Sequence, residues 1–193
     1  MKFIFILFLT TTFISTNIFS ADADSENCSN KNVPSEERSF SNNFAGVFNG
    51  KRLEYTASLN EKILYEKDNP GEPMASFFYT EYIVDSEVDR PVIFSFNGGP
   101  GSASLWLHMG VLGPKVIKVP SDASDDGSAP YKIVDNKLSP LSDADLVFID
   151  PIGTGYSRAI GCHEPEEFWG VSEDPKIIAE FIRRWINDNK RWN

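Results

Sequence analysis

The sequence predicts an α/β fold on an incomplete open sheet, with antiparallel strands first, then two central parallel strands and one long helix. Three observations carry this. Residues 91–96 (PVIFSF) and 144–150 (ADLVFID) are short, nearly continuous apolar runs, the pattern of strands buried on both faces. Each run stops at a glycine-rich string, Asn97-Gly98-Gly99-Pro100-Gly101 and Pro151-Ile152-Gly153-Thr154-Gly155; open α/β sheets build their sites at such strand ends. Ile177, Ile178, Phe181, Ile182, Trp185 and Ile186 recur at a spacing that makes one apolar helical stripe, and such a stripe needs a sheet to pack on.

The elements follow in chain order. Residues 1–23 read as a signal peptide: Lys2 gives a small positive start, 3–9 (FIFILFL) are apolar, and Ala21-Asp22-Ala23 has the form of a cleavage site. The strongly apolar part is about half of the roughly 20 residues a membrane span needs, so cleavage is expected over anchoring. The expected location is secreted or periplasmic, with no stable membrane anchor after cleavage. Residues 24–39 form a polar leader expected to be disordered, and 40–193 form the folded part. Residues 43–49, 52–58, 62–66 and 75–84 read as strands. Asn49-Gly50 is a type I′ hairpin signal and 68–71 (DNPG) a turn. Residues 102–112 suit a short helix and 113–130 a loop. Asp174 is placed to cap the last helix and Pro175 to open it, with its end near 187–189.

Composition narrows the function classes. Eighteen Lys and Arg stand against 28 Asp and Glu, a net charge of −10. An acidic surface repels phosphate backbones, so nucleic acid is not an expected partner. No phosphate-loop pattern and no zinc-ligand spacing occurs, so neither a cofactor nor a metal is expected. The two cysteines, Cys28 and Cys162, are permitted to pair in an exported chain, but the sequence leaves their pairing open, as it does the oligomeric state.

The glycine-rich strings carry the chemistry. Glycines let the backbone turn sharply and bring N–H groups close to a ligand, and such donors stabilise an oxyanion. Residues 94–104 (FSFNGGPGSAS) closely resemble the Asn-Gly-Gly-Pro-Gly motif region of serine carboxypeptidases. Residues 148–157 (FIDPIGTGYS) resemble that family's second signature, with one residue fewer between Asp150 and Pro151. The resemblance implies an α/β-hydrolase-type sheet and peptide substrates with a free C-terminal carboxylate. It implies that Gly99 supplies an oxyanion N–H, that Gly98 and Gly101 shape the loop, and that Asn97 binds the substrate carboxylate. Two departures matter: Ser95 stands where the family often has tryptophan, and Ser102 where it often has cysteine.

No Gly-x-Ser-x-Gly elbow occurs. The nearest string, Gly155-Tyr156-Ser157-Arg158-Ala159, ends in alanine and is accounted for by the second signature. Ser102 and Ser104 suit capping or packing. His108 lies in an apolar run and reads as a core residue; His163 sits in a polar loop. The expectation is therefore a hydrolase whose Ser, Asp and His lie beyond residue 193, so that these 193 residues alone are inactive. A related esterase or acyltransferase, or a non-catalytic truncated product, is the alternative.

Overall fold

The computed structural model describes residues 32–98, 101–119, 122 and 129–192. The expected signal peptide and Cys28 lie outside these residues. Cys162 is disulfide-bonded.

The first hairpin joins β1 (Ser39–Phe48) to β2 (Lys51–Tyr65), in register from Ser39↔Asn60 to Phe48↔Lys51. Its turn residues Asn49 and Gly50 both have positive φ, 47° and 79°, as a type I′ turn requires. β2 runs unbroken where the sequence suggests two strands. Asn60 and Glu61, the polar residues at the expected break, are paired. Asn60 accepts from Ser39 Oγ at 2.6 Å and donates to Glu81 Oε1 at 2.9 Å. Glu61 accepts from Ser76 Oγ at 2.5 Å and from Arg38 Nε at 2.7 Å. Polar groups with partners can stay in a buried strand.

β3 (Pro73–Val84) pairs antiparallel with β2, and β7 (Asp145–Ile149) pairs antiparallel with β3. β4 (Val92–Phe96) then pairs parallel with β7, from Val92↔Asp145 to Phe96↔Ile149. Among the described residues the sheet order is β1-β2-β3-β7-β4, with the two-residue β8 (Arg158–Ala159) beside β3. The result is a mixed sheet with few helices, compatible with a partial α/β fold. Of the two expected central strands, β7 is central and wholly buried, whereas β4 takes the end of the order. With β7 alone beside it among the described residues, β4 leaves Ile93 and Phe96 exposed.

β7 alternates between two cores. Val147 and Ile149 join Phe77, Phe181 and Trp185 beneath α2 (Glu173–Asp188); Leu146 and Phe148 join Phe48, Tyr55 and Leu141 on the other face. An alternation in which both sets are apolar is why this run reads as continuous. α2 begins one residue before the expected cap. Ser172 occupies the N-cap without a side-chain hydrogen bond, so Asp174 is a first-turn residue.

Besides β8, a hairpin and two short turns are additional to the elements expected. A hairpin of β5 (Lys115–Lys118) and β6 (Lys132–Asp135) begins inside the expected loop. Short 3₁₀ turns occupy Pro140–Ser142 and Pro165–Phe168. The expected helix at 102–112 is one α turn, α1 (Leu105–Leu107), continued as a π turn over His108–Leu112.

Candidate active site

Parallel pairing of β4 and β7 puts their carboxyl ends side by side, so both glycine-rich strings leave the sheet at one edge. The first runs from Asn97 to Ser104. Its two ends meet at Ser104, whose buried Oγ accepts from Asn97 N at 3.2 Å and donates to Ile149 O. Ser104 N donates to Asp150 Oδ1 at 2.8 Å. Asn97 Nδ2 donates to Ser102 Oγ at 2.5 Å. Gly101 has φ +94°, where a side chain would be strained. Gly98 is exposed. Gly99 lies outside the described residues.

The second string folds over the first. Asp150 N donates to Phe78 O at 3.1 Å, fixing the end of β7 to β3. Ser157 is wholly buried; its Oγ accepts from Phe78 N at 2.8 Å, and its backbone closes the turn with Gly153 and Thr154. Gly155, at φ +51°, packs against Asp150; a Cβ there would stand 2.1 Å from Asp150 Oδ2. Trp169 Nε1 donates to Ile152 O at 3.1 Å. Burial raises the Asp150 carboxyl above the usual carboxylate range, and the Ser104 N–H opposes that shift.

Among the described residues, neither histidine is bonded to a serine. His108 Nε2 lies 2.6 Å from Tyr82 Oη, and its ring stacks on Phe148 at 4.5 Å. His163 sits between Glu167, 2.9 Å from Nδ1, and Glu66, 3.3 Å from Nε2. Among the described residues no cluster of three His, Cys, Asp or Glu side chains could hold a metal ion, and no helix is long and apolar enough to cross a membrane. A cavity of about 90 Å³ lies beside the loops, lined in part by Leu59, Phe78, Ser104, His108, Asp150 and Tyr156.

The sequence places Asn97, Gly98 and Gly101 at one strand end and the second string at another; the structure brings the two together. It adds Asp150 as the group between them. In the sequence Asp150 stands out as the acidic residue that opens the second signature; its contact with the first loop does not.

Comparison with known proteins gives the same direction. A family model described as serine carboxypeptidase matches residues 65–191. Pheromone-processing carboxypeptidase KEX1 of Saccharomyces cerevisiae (strain JAY291) is 37% identical over 93 residues, 48% of this chain and 11% of that protein. The protein of the same name in strain ATCC 204508 / S288c is 39% identical over 80 residues, 41% of this chain and 10% of that protein. The chain thus spans about a tenth of the length of the curated relatives it matches. No solved structure matches it. With the family model covering well over half of its residues, this chain belongs to the serine carboxypeptidase family.

Proposed function

We propose that these residues form the N-terminal part, 40–193, of an exported serine-type carboxypeptidase with an α/β-hydrolase-type sheet. The observation that carries the reading is the juxtaposition of two glycine-rich loops at the ends of adjacent parallel strands, in a chain of this family. Asn97 donates to the free carboxylate of a peptide; a neutral amide does this without the cost of burying a charge. Gly99, by its place in the Asn-Gly-Gly-Pro-Gly string, is the residue whose N–H would stabilise the oxyanion that forms when a serine attacks the scissile carbonyl. One such donor contributes about 3–4 kcal/mol of barrier lowering. Gly98 and Gly101 let the loop pass close to the substrate. A histidine takes the serine's proton and returns it to the leaving amine, and water releases the acyl group. That the two histidines described above have other partners supports the reading that the serine, histidine and aspartate of this reaction come from outside residues 1–193, which by themselves would then be inactive.

The test is the product of the full reading frame, assayed on N-blocked dipeptides with a free carboxylate and on their amides. Asn97→Ala should lower kcat/KM on the free acids by about 10- to 100-fold and leave the amides little changed. Equal turnover of acids and amides, unaffected by Asn97→Ala, would overturn carboxylate recognition. Ser95 favours a second reading. It stands where the family often has tryptophan and is buried, so esterase or acyltransferase activity without peptide turnover would select that alternative.

A further inference from the structure

Asp150 has three fixed relations. Its N–H is bonded to Phe78 O on β3, its Oδ1 holds Ser104 N, and its Oδ2 is pressed against Gly155. Ser104 in turn closes the first loop on itself through Asn97 N and anchors it to the end of β7 through Ile149 O. The second loop is tied to the same β3 residue, because Phe78 N donates to Ser157 Oγ. Side-chain length at 150 is therefore tightly constrained. A longer acid would drive its extra methylene into Ser104 or into Gly155, where no room for a Cβ exists.

We propose that Asp150 is a positioning residue: its carboxylate sets the seat of the 97–104 loop and couples that loop to the 151–157 loop. What the coupling serves rests on the carboxypeptidase reading, in which Asn97 and the following N–H groups must be held in register with a substrate. How the loop is held does not depend on that reading. A shift of Gly155 displaces Oδ2, and a displaced carboxylate carries Ser104 N and then Asn97 with it.

The experiment uses the ¹⁵N-labelled product of the full reading frame. The Ser104 amide proton of the wild type should shift with pH as Asp150 titrates, since a carboxylate accepts more strongly than a carboxyl group. Asp150→Asn should abolish that titration. Amide exchange at Asn97 and Ser104 should quicken about tenfold or more in Asp150→Ala. Asp150→Asn, which keeps an acceptor oxygen, should restore part of the protection, and Asp150→Glu should not. Asn49 N–H, bonded to Lys137 O at 2.7 Å away from both loops, serves as the unchanged control. A Ser104 amide that is flat with pH in the wild type overturns the proposal, as does full restoration by Asp150→Glu. If Asp150→Ala does not fold, the wild-type titration decides. Addition of N-acetyl-phenylalanine or its amide, read at the Asn97 side-chain NH₂, separates the two readings. Titration at Ser104 without acid-selective binding supports positioning and removes carboxylate recognition. Acid-selective binding with a flat Ser104 does the reverse.

Discussion

His108 shows how a residue type with catalytic potential is spent on structure. Its ring lies flat on Phe148, its Nε2 meets Tyr82 Oη, and burial pushes its imidazole down to about 4. Unfolded, the same group titrates near about 6.5. Between these values the unfolded chain binds a proton that the native state refuses. Stability is therefore lost as pH falls through this window and levels off below about 4. The size is on the order of 3 kcal/mol. Urea titrations of wild type and His108→Gln across pH 7 to 3.5 should differ by a term with that sign, and parallel curves would refute it. The apolar setting of His108 was legible in the string Leu105-Trp106-Leu107-His108-Met109. Its tyrosine partner was not, because Tyr82 is 26 positions away on another strand. Asp150 was hidden in the same way: Ser104 and Asp150 are 46 positions apart, and no periodicity reports a contact of that span.

Among the elements, those written in strong periodicity were legible and those depending on tertiary pairing were not. The α2 stripe, the two apolar strands and the Asn49-Gly50 turn are local patterns. β5 (KVIK) and β6 (KIVD) are four residues each, with charged ends, too short to stand out from a loop until they pair. The break expected in β2 reflects the same limit: Asn60 and Glu61 look like strand terminators until Ser39, Glu81, Arg38 and Ser76 satisfy them. α2 gives the prediction at this scale. Phe181 is buried between Phe77 and Tyr79, with centroids 5.2 and 5.0 Å away. Phe181→Ala should cost about 3–5 kcal/mol, read as a lower urea midpoint at an unchanged slope. Ile177→Ala, on the half-buried side of the same stripe, should cost clearly less. Equal losses would show that α2 is not seated through Phe181.

For the molecule as a whole, the connection between layers rests on one buried carboxylate. Asp145 opens β7 with its side chain only 2% exposed, and it takes Val84 N at 3.1 Å, Arg90 Nε at 3.0 Å and Arg191 Nη2 at 3.1 Å. Arg90 also donates to Leu141 O at 2.6 Å, and Arg191 to Arg90 O. Three parts of the chain thus converge on the first residue of the central strand: the end of β3, the entry to β4 and the segment after α2. Nothing in the sequence marks this, since Arg90, Asp145 and Arg191 are separated by more than forty positions at each step. Both arginines are largely covered, at 12% and 21% exposure, so water cannot take over the role of the carboxylate cheaply. Removing one partner of a buried ion network leaves uncompensated charge, a loss of about 3–5 kcal/mol. Asp145→Asn should lose about that much, because it leaves two guanidinium groups facing a neutral amide. Arg191→Gln should lose less, because Arg90 still neutralises Asp145. The order of the two urea midpoints is the diagnostic. If Arg191→Gln is the more damaging change, Arg191 acts through its packing after α2 and Asp145 is not the hub. If Asp145→Asn is worse and the loss persists at high salt, the network works as a buried clamp, since screening weakens only exposed pairs.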